Sequence, residues 1–221
     1  MTDNFERMDE FFDKRATSYD NHMQVNVNDF ENFYIKIAEP IKRTDEKISI
    51  LDIGCGTGLE LEYVFKKAPR ANITCLDLSE KMLTKLEEKF EDKKAQIETR
   101  VGSYLDNNLG TKQYDYIISV MTVHHLKYGK KLKLYKDIKR ALKKGGRYIE
   151  GDYVVSRQKE KKLLKEYEIK TASLEGADQG NYHIDIPFSL KTQKKLFIKT
   201  GFKDFHLIYK KGEAAIYVMQ N

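Results

Sequence analysis

Three glycines at alternate positions follow an apolar run in the stretch ILDIGCGTGLELE, residues 50–62. Glycine in an ordered element costs stability, so Gly54, Gly56 and Gly58 together predict a backbone that turns sharply and lets a ligand approach closely. Dinucleotide-binding loops use the spacing G-x-G-x-x-G, whereas the spacing here is G-x-G-x-G. Asp52 precedes the loop, and its carboxylate would repel a pyrophosphate. The loop therefore predicts a ligand with a positive charge, such as an amino group or a sulfonium.

A second carboxylate, Asp77, ends the strand-like run NITCLD about twenty residues beyond the glycines. At this spacing an acidic residue can accept hydrogen bonds from ribose hydroxyls, so the ligand is expected to carry a ribose. Met82 follows one helical turn later. It is placed either to lie over an adenine ring or to fill the core, and both interpretations stay open.

Histidines and carboxylates that could contact a substrate lie in three separate segments. His124 and His125 follow the apolar run YDYIISVMTV, Asp152 ends a later strand-like run, and His183 and Asp185 lie in NYHIDIP. Because a neutral histidine titrates in a useful range, His124 is the candidate catalytic base, with a pocket-shaping role as the alternative. The other four are candidate substrate contacts. No metal is predicted, because no tight ligand spacing is present; His124, Asp152 and His183 would be the ligands of a divalent ion if one bound.

The composition favours a soluble globular protein over a nucleic-acid or membrane protein. The chain has 221 residues and a net charge of +6, but lysine outnumbers arginine roughly four to one and the lysines are spread out, so nucleic acid is not a favoured partner. There is no apolar run of the roughly 18 residues that a membrane helix needs, and no export signal, which predicts a cytoplasmic protein without membrane contact. Cys55 and Cys75 are predicted to be small buried thiols.

Strand-like and helical segments alternate along the first two thirds of the chain. This alternation predicts a parallel sheet with helices on both faces. Ser79 is a predicted helix cap, and Gly145 and Gly146 are predicted to close the helix LKLYKDIKRAL. The C-terminal segment predicts two strands that turn at residues 211–212.

A lysine-rich segment at residues 156–186 is predicted to form a lid over the active site. Apolar residues at helical spacing predict a helix face packed against the substrate mouth. These residues are Leu163, Leu164, Tyr167 and Ile169. Gly176 and Gly180 predict hinge-like motion of this lid.

Four motifs and the closing hairpin carry a family resemblance. The motifs are LDIGCGTG (residues 51–58), LDLSEKML (76–83), YDYIISVMTVHHL (114–126) and LKKGGRYIEGDY (142–153). Together they resemble the class I S-adenosylmethionine-dependent methyltransferases of the small-molecule type, similar to the quinone-biosynthesis enzymes. The resemblance runs from about residue 11 to the C-terminus.

This resemblance implies an α/β fold, a Rossmann-like three-layer sandwich. Its seven-stranded sheet has the order 3-2-1-4-5-7-6, with strand 7 antiparallel. The chain is expected to be one methyltransferase domain, residues 1–221. Residues 1–45 form an N-terminal helical cap, and residues 156–200 form the lid insertion after strand 5 and the helix before the hairpin.

The cofactor implied by the resemblance is S-adenosylmethionine. Its implied binding residues are Tyr19, Asp52, Gly54, Cys55, Gly56, Gly58, Asp77, Leu78, Met82, Ser103, Tyr104, Ser119 and Met121. Ser103 stands where relatives carry an acidic residue for the adenine amino group, so Asp106 is an alternative. Arg15 and Tyr19 resemble residues that reach the cofactor carboxylate, and Arg15 is also a candidate substrate contact.

The implied activity is methyl transfer to an oxygen, nitrogen or carbon atom of a small molecule. A D/N-P-P-Y motif is absent after the fourth strand, which argues against methylation of amines on DNA bases. No cysteine lies where a covalent pyrimidine mechanism would need one. An RNA methyltransferase and a catalytically inactive cofactor-binding module remain the alternatives. The oligomeric state is not predicted.

Overall fold

A computed structural model of the chain describes residues 6–172 and 182–221. Within these residues seven strands form one sheet in the order β3-β2-β1-β4-β5-β7-β6. The strands are β1 (Ser49–Ile53), β2 (Asn72–Asp77), β3 (Ile97–Val101), β4 (Tyr114–Val120), β5 (Leu142–Tyr153), β6 (Asp204–Lys211) and β7 (Ala214–Gln220). The helices are α1 (Met8–Arg15), α2 (Tyr19–Asn26), α3 (Phe30–Ala38), α4 (Leu61–Lys67), α5 (Glu80–Lys89), α6 (Tyr128–Ala141), α7 (Arg157–Thr171) and α8 (Leu190–Thr200).

The sheet topology predicted from the sequence is confirmed. β1 pairs in parallel with β2 and β4, while β7 pairs antiparallel with both β5 and β6. The hairpin turns between β6 and β7, at residues 212–213. Because the carboxyl ends of parallel strands meet at one edge, the segments after β1, β2, β4 and β5 come together there. The glycine loop, Asp77 and the two adjacent histidines therefore share that edge.

Each face of the sheet carries its own apolar cluster. Phe33 and Ile37 of α3, with residues of α4 and α5, pack on one face, whereas Tyr135 and Ile138 of α6 and residues of α8 pack on the other. This is the predicted three-layer arrangement. Cys55 and Cys75 are buried free thiols, as predicted.

Two helix ends were predicted from the sequence with different outcomes. Ser79 caps α5, because its Oγ accepts a hydrogen bond of 3.1 Å from the Met82 N–H. The prediction that Gly145 and Gly146 close α6 is wrong, since α6 ends at Ala141 and β5 begins at the next residue. The two glycines have different roles in β5. A Cβ on Gly146 would lie 3.0 Å from the backbone oxygen of Asp115 on β4, whereas Gly145 has open space around it but a positive φ of 77°.

A helix, α7, follows β5 as predicted, and Ser156 caps it by accepting from the Lys159 N–H. Its predicted apolar face is only partly buried: Tyr167 is buried and Leu164 packs on the core, but Ile169 is 68% exposed. The hinge glycines Gly176 and Gly180 lie outside the described residues. None of the helices in the described ranges is both long and apolar enough to cross a membrane.

Candidate active site

The glycine loop follows β1 and needs its glycines for two different reasons. Gly54, Gly56 and Gly58 all have positive φ, at 65°, 52° and 69°. A Cβ on Gly54 would overlap the Thr122 side chain after β4, so the two loops can approach only because this residue is glycine. Gly58 instead faces Leu61 and Leu86, and a Cβ on this residue would lie only 3.0 Å from each of their side chains. It allows α4 and α5 to pack, rather than passing beneath a ligand as expected.

Asp77 is held rigidly at the end of β2. Its Oδ2 accepts a hydrogen bond of 2.8 Å from the Gly56 N–H, and its Oδ1 accepts one of 2.9 Å from the Ser79 N–H. Burial raises the pKa of this carboxyl, and the backbone donors oppose that rise. The carboxylate is thus fixed beside the glycine loop before any ligand binds.

Asp52 lies beneath the glycine loop and is completely buried. Neither of its carboxyl oxygens has a hydrogen-bond partner among the described residues. Burial raises the pKa of Asp52 well above its ordinary value, and the nearby carboxyl of Glu60 raises it further. Burial likewise raises the pKa of Glu60, whose Oε1 has no partner within the described part of the chain. This unbalanced carboxyl pair suits a cationic ligand above it and opposes an anionic one.

Two adjoining cavities lie at this edge of the sheet. The smaller, about 40 Å³, is here called the cofactor cavity after the predicted cofactor residues that line it, and the larger, about 300 Å³, is called the acceptor cavity after the predicted substrate residues. The cofactor cavity is lined by the predicted residues Tyr19, Gly54, Gly56, Asp77, Leu78, Met82, Tyr104 and Met121. The acceptor cavity is lined by the predicted residues Arg15, His124, His125, His183 and Asp185.

Five predicted cofactor residues are outside the lining of the cofactor cavity. Asp52 and Gly58 are described above, and Cys55 is buried in the core. The Ser103 Oγ accepts a hydrogen bond of 3.1 Å from the Leu105 N–H and so stabilises its own turn. The Ser119 hydroxyl shares a hydrogen bond of 2.6 Å with the Tyr148 hydroxyl. Its side chain is therefore directed into the buried core, contrary to the expectation that it lines the cofactor.

The histidines and carboxylates from three segments converge on the acceptor cavity. His124 Nδ1 is 2.6 Å from Asp152 Oδ1, and its Nε2 is 3.5 Å from Asp185 Oδ1. The same Asp185 oxygen is 3.1 Å from His125 Nδ1. Asp152 is buried behind His124 and does not line the cavity. His183 stacks on Phe11, with ring centroids 3.5 Å apart.

These contacts shift the pKa values of the three histidines in different directions. Burial alone would lower the pKa of His124, but the Asp152 and Asp185 carboxylates outweigh it and raise that pKa to about 9. Burial and the charge of His124 lower the pKa of His125. Burial and His125 lower the pKa of His183 to about 4. Without a further ligand, His124 is therefore charged and its two neighbours are neutral near pH 7, so His124 is poorly suited to the predicted role of base.

Several residues of the site, most of them apolar, were not predicted from the sequence. Phe12 and Met23 line the acceptor cavity, and Met8 and Thr122 line the cofactor cavity. Helical spacing of aromatics in the N-terminal segment signalled packing, but it could not show what the helix packs against. Four residues line both cavities and are here called the junction residues. They are Phe12, Tyr19, Met121 and His125.

Comparisons with known proteins identify a methyltransferase domain in the chain. Residues 50–146 match the family model described as a methyltransferase domain. The chain is 29% identical over 135 residues to malonyl-acyl-carrier-protein O-methyltransferase 2 of Ilyobacter polytropus, an alignment that covers 61% of this chain and 49% of that protein. The chain spans about half the length of the first curated relatives that it matches.

Two further relatives match nearly the whole chain. Carboxy-S-adenosyl-L-methionine synthase of Nautilia profundicola is 22% identical over 227 residues, which covers 96% of this chain and 94% of that protein. The structure of human N-acetylserotonin methyltransferase in complex with S-adenosylmethionine has a TM-score of 0.66 and 16% identity. That match covers 96% of this chain and 56% of the human chain, and it shows a shared fold.

Proposed function

We propose that this chain, which has the fold of the class I S-adenosylmethionine-dependent methyltransferases and a methyltransferase domain at residues 50–146, transfers a methyl group to a small molecule. The family predicted from the sequence motifs is confirmed by this match and by the sheet order. The observation that carries the proposal is that the two cavities share the four junction residues. One cavity contains Asp77, and the other contains the histidine and aspartate cluster to which His125 belongs.

The cofactor side of the junction fits S-adenosylmethionine. Asp77 is fixed where it can accept from ribose hydroxyls, and the unpartnered carboxyl of Asp52 lies beneath the loop where it favours a cation. A Cβ on Gly56 would meet the Tyr19 ring at an ordinary contact distance of 3.6 Å. The chemistry supplied by the cofactor when bound is an activated methyl group on a sulfonium.

The chain itself then has two tasks, which are to position the acceptor and to exclude water. The junction residues Phe12, Tyr19 and Met121 form an apolar passage between the cavities. On the far side, His125 and Asp185 offer polar groups that orient an oxygen, nitrogen or carbon acceptor. Both ring nitrogens of His124 face carboxylates, so we assign His124 an orienting role and not that of a base.

A small acceptor is favoured over RNA by the charge of the acceptor cavity. Among the described residues that line it, Arg15 is the single lysine or arginine, and it pairs with Glu6 at 3.0 Å. RNA binding would need a basic face leading to the pocket, because phosphate contacts dominate nucleic-acid affinity.

A second candidate follows from the relative that matches this chain over most of its length, which is named a carboxy-S-adenosyl-L-methionine synthase. In that case the cofactor would itself be modified. The product nucleoside separates the two reactions, because methyl transfer leaves S-adenosylhomocysteine and the alternative leaves a carboxylated cofactor.

The experiment is an incubation of the purified protein with methyl-labelled S-adenosylmethionine and either a small-molecule extract or total RNA. We expect label in the small-molecule fraction and S-adenosylhomocysteine by mass spectrometry. Label in RNA would favour the RNA alternative, and a carboxylated nucleoside would favour the second candidate. Tight cofactor binding with no labelled product in any fraction would indicate an inactive cofactor-binding module.

We further propose that residues 1–221 act as one unit, with residues 1–45 as a cap on the cofactor cavity. The contacts of Met8 and Phe12 with that cavity support this division. Within the 156–200 insertion, the described lining comes from His183 and Asp185 and not from α7. The cytoplasmic location stays a prediction, which fractionation of cells tests.

A further inference from the structure

We propose that His124, His125 and Asp185 bind a divalent transition metal of the Zn²⁺ type, and that its open position receives the oxygen or sulfur atom of the acceptor. This inference rests on the proposed function for its acceptor but not for the metal. Each of the three residues offers one ligand atom, and these atoms all lie within 4.8 Å of one another. Two imidazoles and one carboxylate with a free position form the ligand set of catalytic metal sites.

The distances in the cluster fall into two kinds. His124 Nδ1 and Asp152 Oδ1 are 2.6 Å apart, which is a short charge-assisted hydrogen bond. The contacts of Asp185 Oδ1 with His124 Nε2 and His125 Nδ1 are longer, at 3.5 and 3.1 Å. Ligand atoms bound at about 2.0–2.1 Å to a tetrahedral metal lie about 3.3 Å apart. The two contacts of Asp185 Oδ1 thus have separations close to those of a coordination shell. His125 Nδ1 also lies 3.3 Å from the Ile184 carbonyl oxygen, a contact that a bound metal would replace.

Asp152 supplies the support that metal-binding histidines need. Its Oδ1 also accepts a hydrogen bond of 2.7 Å from the Tyr153 N–H, so the carboxylate is fixed in a buried position. By occupying His124 Nδ1 it leaves Nε2 directed toward Asp185. A carboxylate behind a ligating histidine orients the ring and raises its basicity, and this is the recurring outer arrangement of metal sites.

Backbone hydrogen bonds on either side of Asp185 hold this third ligand in place. The Ile186 N–H donates to the His124 carbonyl at 2.9 Å, and the His183 N–H donates to the Glu6 carbonyl at 3.1 Å. Asp185 is therefore held between the loop after β4 and the segment that leads into α1. Its side chain is 55% exposed toward the cavity, which leaves a path for an ion to enter.

Charge balance favours a divalent cation. A metal bound at His124 Nε2 displaces the proton from that ring, so two carboxylates then face two neutral imidazoles and the net charge of these groups is −2. Arg15 lines the same cavity but pairs with Glu6 at 3.0 Å and stacks over Phe11. A divalent cation would neutralise the carboxylates in a place where burial makes uncompensated charge costly.

A metal at this position would restrict the methyl acceptor to a group that a metal ion can bind and deprotonate, namely a hydroxyl, an enol or a thiol. Coordination lowers the pKa of such a group, so its proton can leave to bulk water and no separate base is required. The anionic oxygen or sulfur then forms a bond to the methyl carbon as the bond from that carbon to the cofactor sulfur breaks. The cofactor sulfur keeps the electron pair and becomes a neutral thioether.

The test measures metal binding without cofactor or acceptor, so it stays separate from the methyl-transfer assay. Isothermal titration of the metal-free protein with Zn²⁺, in competition with a chelator, gives the affinity, and Co²⁺ reports coordination through its visible absorption. The variants are His125→Gln and Asp185→Asn, which remove ligands, and Asp152→Asn, which removes the support. His206→Gln is the control, because His206 lies on β6 outside the cluster.

We expect one Zn²⁺ per chain, with at least about 100-fold weaker binding in each ligand variant and about 10- to 100-fold weaker binding in Asp152→Asn. The Co²⁺ bands should persist in His206→Gln and be lost in His125→Gln. Equal affinities in all four variants, or absence of binding in the unmodified protein, would overturn the proposal. Circular dichroism of each variant excludes unfolding as the cause of lost binding.

Discussion

The Ser79 hydroxyl donates a hydrogen bond of 2.5 Å to the Asp13 carboxylate, and this bond joins α1 to the start of α5. It closes α1 over a cofactor cavity of about 40 Å³, which Met8 and Phe12 partly fill. Ligand pockets in proteins usually measure roughly 300–1,000 Å³. The space beside Asp77 and Met82 is therefore too small for a cofactor of the size of S-adenosylmethionine, and we expect α1 to move away from these residues when the cofactor binds.

The first prediction concerns this movement. Asp13→Ala removes the bond to Ser79 without removing the Ser79 cap of α5, so we expect α1 to open more readily. A hydrogen bond to a charged group contributes about 1.5–3 kcal/mol, so partial loss should raise the dissociation rate of S-adenosylmethionine about 5- to 20-fold. Stopped-flow fluorescence measures the rate, and hydrogen exchange of residues 8–26 should accelerate. Asp9→Ala, on the exposed side of α1, is the control; equal effects in both variants would contradict the interpretation.

Asp77 gives the second prediction. Asp77→Asn keeps the shape of the side chain but removes the charge and one acceptor, so both the ribose contacts and the Gly56 N–H bond weaken. We expect the Kd of S-adenosylhomocysteine to rise about 10- to 100-fold by titration calorimetry. Asp92→Asn, whose side chain is 72% exposed, should bind as the unmodified protein does. An unchanged Kd in Asp77→Asn would argue against a ribose at this position.

The buried carboxyl pair predicts a dependence of stability on pH. Burial raises the pKa of both Asp52 and Glu60 in the folded protein. As pH rises above about 4, the unfolded chain releases protons that the folded chain retains, so the free energy of unfolding falls until the raised pKa values are passed. Glu60→Gln removes one of these groups and lowers the pKa of the other, so the fall between pH 4 and 7 should be smaller.

Urea unfolding at several pH values tests this, with Glu62→Gln as the control because Glu62 is exposed on the same helix. Parallel pH profiles for Glu60→Gln and the unmodified protein would refute the prediction. At a single pH the two variants differ for other reasons as well, so only the slope of stability against pH is diagnostic.

The buried network around Glu150 gives a fourth prediction. Tyr148 bonds to Ser119 at 2.6 Å and donates to Glu150 Oε2 at 2.8 Å, while the Tyr217 hydroxyl bonds to the other carboxyl oxygen. Tyr148→Phe leaves both partners short of a hydrogen bond and should lower the free energy of unfolding by about 1–3 kcal/mol. Cofactor affinity should not change, because the Ser119 hydroxyl bonds to Tyr148 in the core and does not line the cofactor cavity. Tyr209→Phe, at an exposed hydroxyl, should cost less than about 0.5 kcal/mol.

Sequence reasoning succeeded where local chemistry fixes the structure. The glycine loop, the Ser79 cap and the closing hairpin each follow from residue types at short range. It failed at Gly145 and Gly146, because glycine suits both a helix end and an irregular or tightly packed strand. At Gly146 the close approach of β4 decides between them, and residue spacing does not encode that approach. It also failed at Ser119. Side chains alternate along a strand, and whether Ser119 faces the cavity or Tyr148 depends on which sheet face α6 and α8 cover.

By itself the sequence determined the order of the elements and the edge of the sheet at which the site forms. Parallel strands bring their carboxyl ends together, so Asp77 and His124 had to lie at one edge. Only the tertiary structure decided which atoms meet there. His124, Asp152 and Asp185 come from three segments that are distant along the chain, and a hydrogen bond or a coordination shell depends on differences of less than 1 Å that residue spacing does not encode.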